Sequence, residues 1–292
     1  MQAQLVSSRS CLRASALSRA RPSRSARLNV INAAAVSTKS VSGRMAELKA
    51  QGKVAFIPFL VAGDPNLDTT AAALKKLDEV GSDVIELGVP YSDPLADGAV
   101  IHTAATRALQ LGTTLDRVID MVAKVAPELK APWRGMDKFC EQIKAAGAAG
   151  LLVPDLPLEE TVTIRAACER AGLELVLLTT PTTPKARMAE IARASQGFVY
   201  LVSVTGVTGV QEKVQARVET LVETLHAVTD KSVAVGFGVS KPEHAKQIVD
   251  WGAEGVICGS ALVRALGDAA TPEEGLKNME ALARSLRDAI PH

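Results

Sequence analysis

From residue 54 onward the chain alternates two kinds of segment. Short, continuous apolar runs occupy residues 54–61, 84–87, 150–153, 174–179, 198–202, 233–236 and 255–258. They do not alternate apolar with polar positions, so they predict parallel strands covered on both faces. Between them lie segments of helical period. In 69–80 the apolar residues Ala72, Ala73, Leu77 and Val80 share one face, and 159–171, 184–194, 214–228 and 242–251 follow the same pattern. Gly81, Gly147, Gly172 and Gly252 stand where a helix ends on a left-handed residue.

Repeated β/α units in a body of this length predict either a (β/α)₈ barrel or a doubly wound sheet. Two features favour the barrel. No GxGxxG opens the first helix. Instead, polar or glycine-rich clusters follow strand after strand: Gly63-Asp64-Pro65, 90–98, 154–157, 206–209, 236–238 and Gly259-Ser260. A barrel site is built in this way, from loops at the carboxyl ends of many strands. The expectation is therefore a TIM barrel forming one domain over 41–292. The repeat has one defect. Strand starts advance by no more than 35 residues except from 84 to 150, a step of 66 with room for two units. That step reads as a helix at 100–126, a link at 127–135 and a second helix at 136–146, with no strand between. Seven strands are predicted where the repeat wants eight.

Composition and charge narrow the function. No apolar run approaches the ~20 residues that a membrane-spanning helix needs. Cys11, Cys140, Cys168 and Cys258 are scattered without a CxxC pair, so neither a metal site nor a disulfide framework is predicted. The net charge of +1 hides an asymmetry, because eight basic residues and no acidic one precede Glu47. Without them 25 basic residues face 32 acidic ones, a body of net −7 that argues against nucleic-acid binding. Residues 1–40 are rich in Ser, Arg and Ala and lack acids, which predicts a disordered organelle transit peptide. Composition alone does not choose between chloroplast and mitochondrion.

The chemistry-bearing residues sit at the predicted carboxyl ends of strands. Glu86 lies inside Val84-Ile85-Glu86-Leu87-Gly88. Burial among such neighbours raises a carboxyl pKa and suits it to general acid/base work. Asp97, eleven residues on, is a candidate carboxylate, although Asp93 and Asp97 also suit plain turn or N-cap roles. The clusters at 206–209, 236–238 and Gly259-Ser260 follow the last three strands. Their glycines let backbone N–H groups approach an anion, and Ser260 opens a helix with a positive N-terminus. A phosphate site is predicted there. His102, His226 and His244 have no metal-spaced partners, and Cys258 is expected to be a core thiol.

At these residues the chain resembles the alpha subunit of tryptophan synthase. The resemblance is carried by 56–65, by Glu86-Leu87-Gly88-Val89-Pro90-Tyr91-Ser92-Asp93-Pro94-Leu95-Ala96-Asp97-Gly98, and by 153–157, 203–209 and 236–240; it runs from about Arg44 to the C-terminus. It implies a carbon–carbon lyase of tryptophan biosynthesis that cleaves indole-3-glycerol phosphate to indole and glyceraldehyde 3-phosphate by a retro-aldol reaction without a cofactor or metal. It implies that Glu86 is the acid/base and that Asp97 holds the indole N–H. Gly209, Gly238, Gly259 and Ser260 match the phosphate cradle. Phe59, Leu152, Tyr200 and Phe237 match the indole pocket and its surroundings, and Thr208 lies in the loop that closes over the site, near Asp97. The implied partner is a beta subunit carrying pyridoxal phosphate (PLP) in an alpha2beta2 heterotetramer, with no nucleic acid and no membrane. The leader then reads as a chloroplast transit peptide and the location as the stroma.

The resemblance also places the defect. Between Ala131-Pro132 and Arg134-Gly135 the family has an apolar strand and an Asn-Pro loop, roughly a dozen residues that this chain lacks. The expectation is that the flanking strands either pair directly in a strained seven-strand barrel or leave it open. The lost strand leaves open a catalytically impaired barrel that only binds or regulates a beta subunit; a stand-alone lyase releasing indole is a variant of the lyase reading that only partner binding would distinguish.

Overall fold

A computed structural model of the chain describes residues 4–8, 40–92, 98–125, 136–154, 156–203, 211–236 and 238–292. Seven parallel strands follow the apolar runs: β2 (Ala55–Val61), β3 (Val84–Gly88), β4 (Gly150–Leu152), β5 (Glu174–Thr179), β6 (Val199–Val202), β7 (Val233–Gly236) and β8 (Gly255–Cys258). An eighth, β1 (Gln4–Ser8), precedes them in the chain. The sheet closes as β1-β3-β2-β8-β7-β6-β5-β4.

Strand β1 corrects the expectation for the defect. Strands β3 and β4 neither pair with each other nor part. Instead β1 lies antiparallel between them, with Gln4 opposite Gly88 and Leu152, and Val6 opposite Glu86 and Gly150. Part of the leader is thus inside the sheet, whereas the whole of 1–40 was expected outside the fold. The link at 127–135 lies outside the described residues. The physical reason for β1's place is the edge problem: two strands of a barrel without a neighbour leave rows of N–H and C=O groups unpaired.

Helices pack around the barrel: α1 (Val41–Ala50), α2 (Leu67–Val80), α3 (Ala99–Gln110), α4 (Leu115–Val125), α5 (Met136–Ala145), α6 (Thr161–Ala171), α7 (Lys185–Ala194), α8 (Gln211–His226), α9 (Pro242–Asp250), α10 (Ser260–Gly267) and α11 (Pro272–Asp288). The helix expected over 100–126 is two helices. Gly112 at φ +74° breaks it, and Thr114 Oγ1 accepts the Arg117 N–H to start α4. Gly81 and Gly172 end α2 and α6 in the left-handed conformation, at φ 99° and 71°.

Strand residues sort by alternation into two apolar layers. Phe56, Leu60, Leu87, Leu151, Leu175, Leu201, Val235 and Val256 face the helices. Ile57, Val84, Leu152, Val176, Tyr200, Ala234 and Ile257 fill the barrel. Helix α1 closes the amino-terminal end, where Val41, Met45 and Leu48 join this inner layer. Ser40 caps α1 by accepting the Gly43 N–H at 3.1 Å. Asp83, 1% exposed, anchors it at the foot of β3. Its carboxylate accepts the Phe56 N–H at 2.9 Å and the Arg44 guanidinium at 2.6 Å.

Candidate functional site

Glu86 shares the inward face of β3 with Val84, and its register partner on β2 is Phe59. It is 1% exposed, and its Oε1 is buried without a hydrogen-bond partner among the described residues. Burial pushes its pKa from 4.5 up to about 8. Among the described residues no cation offsets that burial, so the group holds its proton at neutral pH. This matches the raised pKa expected from its apolar neighbours.

Glu86 lines a cavity of about 140 Å³ at the carboxyl ends of the strands, space for a small molecule rather than one or two waters. Phe59, Tyr200, Gly238, Gly259 and Ser260 also line it. Leu152 is packed in the inner layer of the barrel, in the same cluster as the cavity-lining Tyr200 and Ile257. Asp97, Thr208, Gly209 and Phe237 lie outside the described residues. The remaining lining, Ile101, Val239, Ser240, Ile257, Ala261 and Arg264, was not singled out in the sequence. Ile101 and Arg264 sit on helices whose approach to the cavity no local spacing reveals.

Two close approaches shape the apolar wall. A Cβ on Gly236 would fall 2.5 Å from Tyr200 Oη, and one on Gly88 would fall 2.7 Å from the Phe59 ring. Glycine at these strand ends is what lets both aromatic rings lie across the barrel mouth.

The polar wall is the start of α10. Gly259 is its N-cap and supplies no side-chain cap, so the first N–H groups have no side-chain acceptor. The Gly238 turn lies beside them on the same cavity wall, and uncapped N–H groups of this kind attract anions. His244 on α9 supports that turn, its Nδ1 lying 3.1 Å from the Gly238 carbonyl and 3.4 Å from the Ser240 amide. The loop after β2 is fixed differently. Buried Asp64 accepts two hydrogen bonds from Arg107 of α3, at 2.8 and 2.7 Å.

The remaining predicted groups are structural. Cys258 is buried, its thiol pushed up to about 12 by burial, and it donates to the Val239 carbonyl at 3.2 Å. His226 pairs with Glu254 at 3.1 Å, and His102 is exposed. Among the described residues no cluster of His, Cys, Asp or Glu could hold a metal ion, and no helix is long and apolar enough to cross a membrane.

Comparison with known proteins decides the family. Residues 45–291 match the family described as tryptophan synthase alpha chain. The chain belongs to the tryptophan synthase alpha chain family. A member from Arabidopsis thaliana is 54% identical over 265 residues, covering 87% of this chain and 96% of the relative. One from a Cyanothece strain is 52% identical, covering 86% and 98%. Among solved structures, tryptophan synthase from M. tuberculosis aligns with a TM-score of 0.74 at 34% identity, covering 86% of this chain and 98% of that one. A chain of the tryptophan synthase a2b2 complex from Pyrococcus furiosus aligns with a TM-score of 0.72 at 35% identity, covering 80% and 97%. The TIM barrel expected from the sequence is the fold these alpha chains share, here with one strand supplied from the N-terminus.

Proposed function

We infer that this chain is the tryptophan synthase alpha lyase, cleaving indole-3-glycerol phosphate to indole and glyceraldehyde 3-phosphate in tryptophan biosynthesis. The observation that carries the reading is Glu86: a buried carboxyl, one oxygen of which has no partner among the described residues, in a cavity that also reaches the open N-terminus of α10.

The chemistry follows from these groups. Glu86, neutral because it is buried, gives its proton to indole C3. The carboxylate so formed accepts the proton of the side-chain hydroxyl as the bond between C3 and the glycerol carbon breaks. Indole and the aldehyde leave, and Glu86 is protonated again. The apolar wall of Phe59, Tyr200 and Ile257 takes the ring. The N–H groups at Gly259 and Ser260, with Gly238, take the phosphate. Asp97 holds the indole N–H, Phe237 extends the ring pocket, and Thr208 and Gly209 belong to the closing loop and phosphate cradle, as in the family's pattern. No cofactor or metal is assigned to this chain. Incubation of the full chain with indole-3-glycerol phosphate tests the reading. Indole and glyceraldehyde 3-phosphate are expected in a 1:1 ratio, and a folded chain yielding neither would overturn it.

Arg264, exposed on the second turn of α10, lines the same cavity with no acidic partner among the described residues. It suits attraction of the phosphate rather than the chemistry. Arg264→Ala is expected to raise KM about tenfold with kcat within about twofold, a loss of binding uniform along the reaction. A kcat loss at unchanged KM would contradict that role.

The partner we propose is a PLP-bearing beta subunit in an alpha2beta2 assembly, which would receive the indole; addition of that subunit should speed indole consumption and tryptophan formation. Residues 1–40 are proposed to direct the chain to the chloroplast stroma. Their acid-free Ser/Arg composition supports this, as do the plant and cyanobacterial relatives. A reporter fused behind residues 1–40 that stayed in the cytosol would count against it.

A further inference from the structure

We propose that Cys140 and Cys168 form a dithiol modification site, which a peroxide oxidises to a reversible disulfide that staples α5 to α6. Neither residue lines the Glu86 cavity, and the site does not depend on the lyase reaction.

The two side chains meet although 28 residues separate them in sequence, a spacing that no CxxC pattern reveals. Cys140 lies in the first half of α5, and Cys168 lies near the end of α6. Both are fully buried in the outer apolar layer, in one cluster with Ile143, Ala146, Ile164 and Ala167. Their sulfurs are 3.9 Å apart, and one thiol donates a hydrogen bond to the other. A disulfide bond is about 2.05 Å long, so closure asks for roughly 2 Å of movement. Rotation about the two Cα–Cβ bonds with a small shift of one helix supplies it. Cys258 does not compete, because it sits on β8 and donates to the Val239 carbonyl.

The same packing keeps the resting pair reduced and slow to react. The hydrogen bond with Cys140, then burial, push the Cys168 thiol up, and the thiolate is the reactive form. Oxidation therefore requires a local opening that wets the pair. Helix α5 is the element suited to open. It is only ten residues long, and its Gln142 Oε1 is buried without a hydrogen-bond partner among the described residues. Lifting α5 gives that oxygen to water and recovers a desolvation cost.

Once wetted, one thiolate attacks the peroxide. An S–O bond forms as the O–O bond breaks, leaving a sulfenic acid and, with the thiol's proton, water. The second sulfur then attacks the sulfenic sulfur. The S–S bond forms, the S–O bond breaks, and the hydroxide leaves as a second water with the second thiol's proton. The two thiols supply the two electrons that reduce the peroxide. The disulfide closes a loop holding the end of α5, all of β4 and most of α6, the β/α unit that follows the irregular step. Such a loop restricts the unfolded chain and holds α5 shut.

The test treats the full-length chain with hydrogen peroxide, blocks remaining thiols with iodoacetamide in denaturant, and reads unreduced peptides by mass spectrometry. A linked pair of the Cys140 and Cys168 peptides is expected, lighter by two hydrogens than the two thiol peptides together. The oxidised chain should melt about 5–10 °C above the reduced one, and excess dithiothreitol should restore the lower midpoint. Cys168→Ala should abolish both the linked pair and the shift on peroxide treatment, whereas Cys11→Ser should keep both. Peptides of the parent chain decide the matter even where Cys168→Ala fails to fold. Recovery of both residues as alkylated thiols or as sulfinic acids would overturn the proposal. So would a disulfide to Cys11 in place of the pair, or a linked pair that leaves the midpoint unchanged.

Discussion

Glu86→Gln is expected to lower kcat for indole formation by about 10²–10⁴-fold and, above pH 8, to make the folded chain more stable. The two effects share one cause. Glu86 is buried with an unpartnered oxygen, and burial lifts its pKa from 4.5 to about 8. A carboxyl raised in this way binds its proton more tightly in the folded chain than in the unfolded one. Its contribution is therefore neutral below about pH 4.5, becomes increasingly unfavourable as pH rises, and is fully unfavourable above about pH 8. The full penalty is on the order of 5 kcal/mol. Gln keeps the shape without the charge and removes that penalty. Denaturant midpoints should coincide for the two chains near pH 4.5 and separate steadily toward pH 8, with the variant higher. Indole-3-glycerol phosphate should still bind to the variant, which calorimetry can read because turnover is slow. A variant with parent-like kcat would remove Glu86 from the mechanism. A variant less stable than the parent at pH 8 would show that its carboxylate is compensated.

Asp83→Ala is expected to cost about 3–5 kcal/mol of stability, the largest loss predicted for a single polar residue here. Asp83 joins three parts of the chain at the foot of the barrel. One oxygen accepts the Phe56 N–H of β2 and the other accepts Arg44 of α1, while its own N–H donates to the Phe56 carbonyl at 3.0 Å. Truncation leaves the Phe56 N–H without its acceptor and the half-buried Arg44 guanidinium with Glu47, at 3.1 Å, in place of two carboxylates. It also loosens α1, whose Val41, Met45 and Leu48 cover the inner layer. Arg44→Ala should cost less, because Asp83 then keeps its backbone bond. Urea unfolding of the two single variants and the double variant measures the coupling. Additive losses would show that the pair does not act as a unit.

Much of this organisation is legible in residue patterns because the strands are covered on both faces. Runs such as Glu174–Thr179 and Val233–Gly236 are strands in the structure at the predicted bounds. Glu86 stood out for the physical reason that now describes it, a carboxyl among apolar neighbours. What escaped is non-local. Leu5-Val6 is too short to signal a strand and sits in a segment whose composition marks it as a leader; its place is set by two strands about eighty and one hundred and fifty residues away in sequence. Helix α1 carries only a weak apolar stripe, so it gave little helical signal before its burial under the barrel was visible. The break at Gly112 was hidden inside an otherwise helical run. Arg264 and Ile101 reach the cavity from helices, and only the closed sheet brings those helices to the same mouth.

The most direct test of the account is the pH dependence of kcat/KM for indole-3-glycerol phosphate cleavage by the full-length chain. Glu86 must enter the reaction protonated, and burial sets its pKa at about 8. The value should hold steady from about pH 6 to pH 7 and then fall, approaching tenfold per pH unit above about pH 8. A rate that instead climbs with pH across this range would mean that the free enzyme needs the carboxylate, and would contradict the account of Glu86 as the first proton donor.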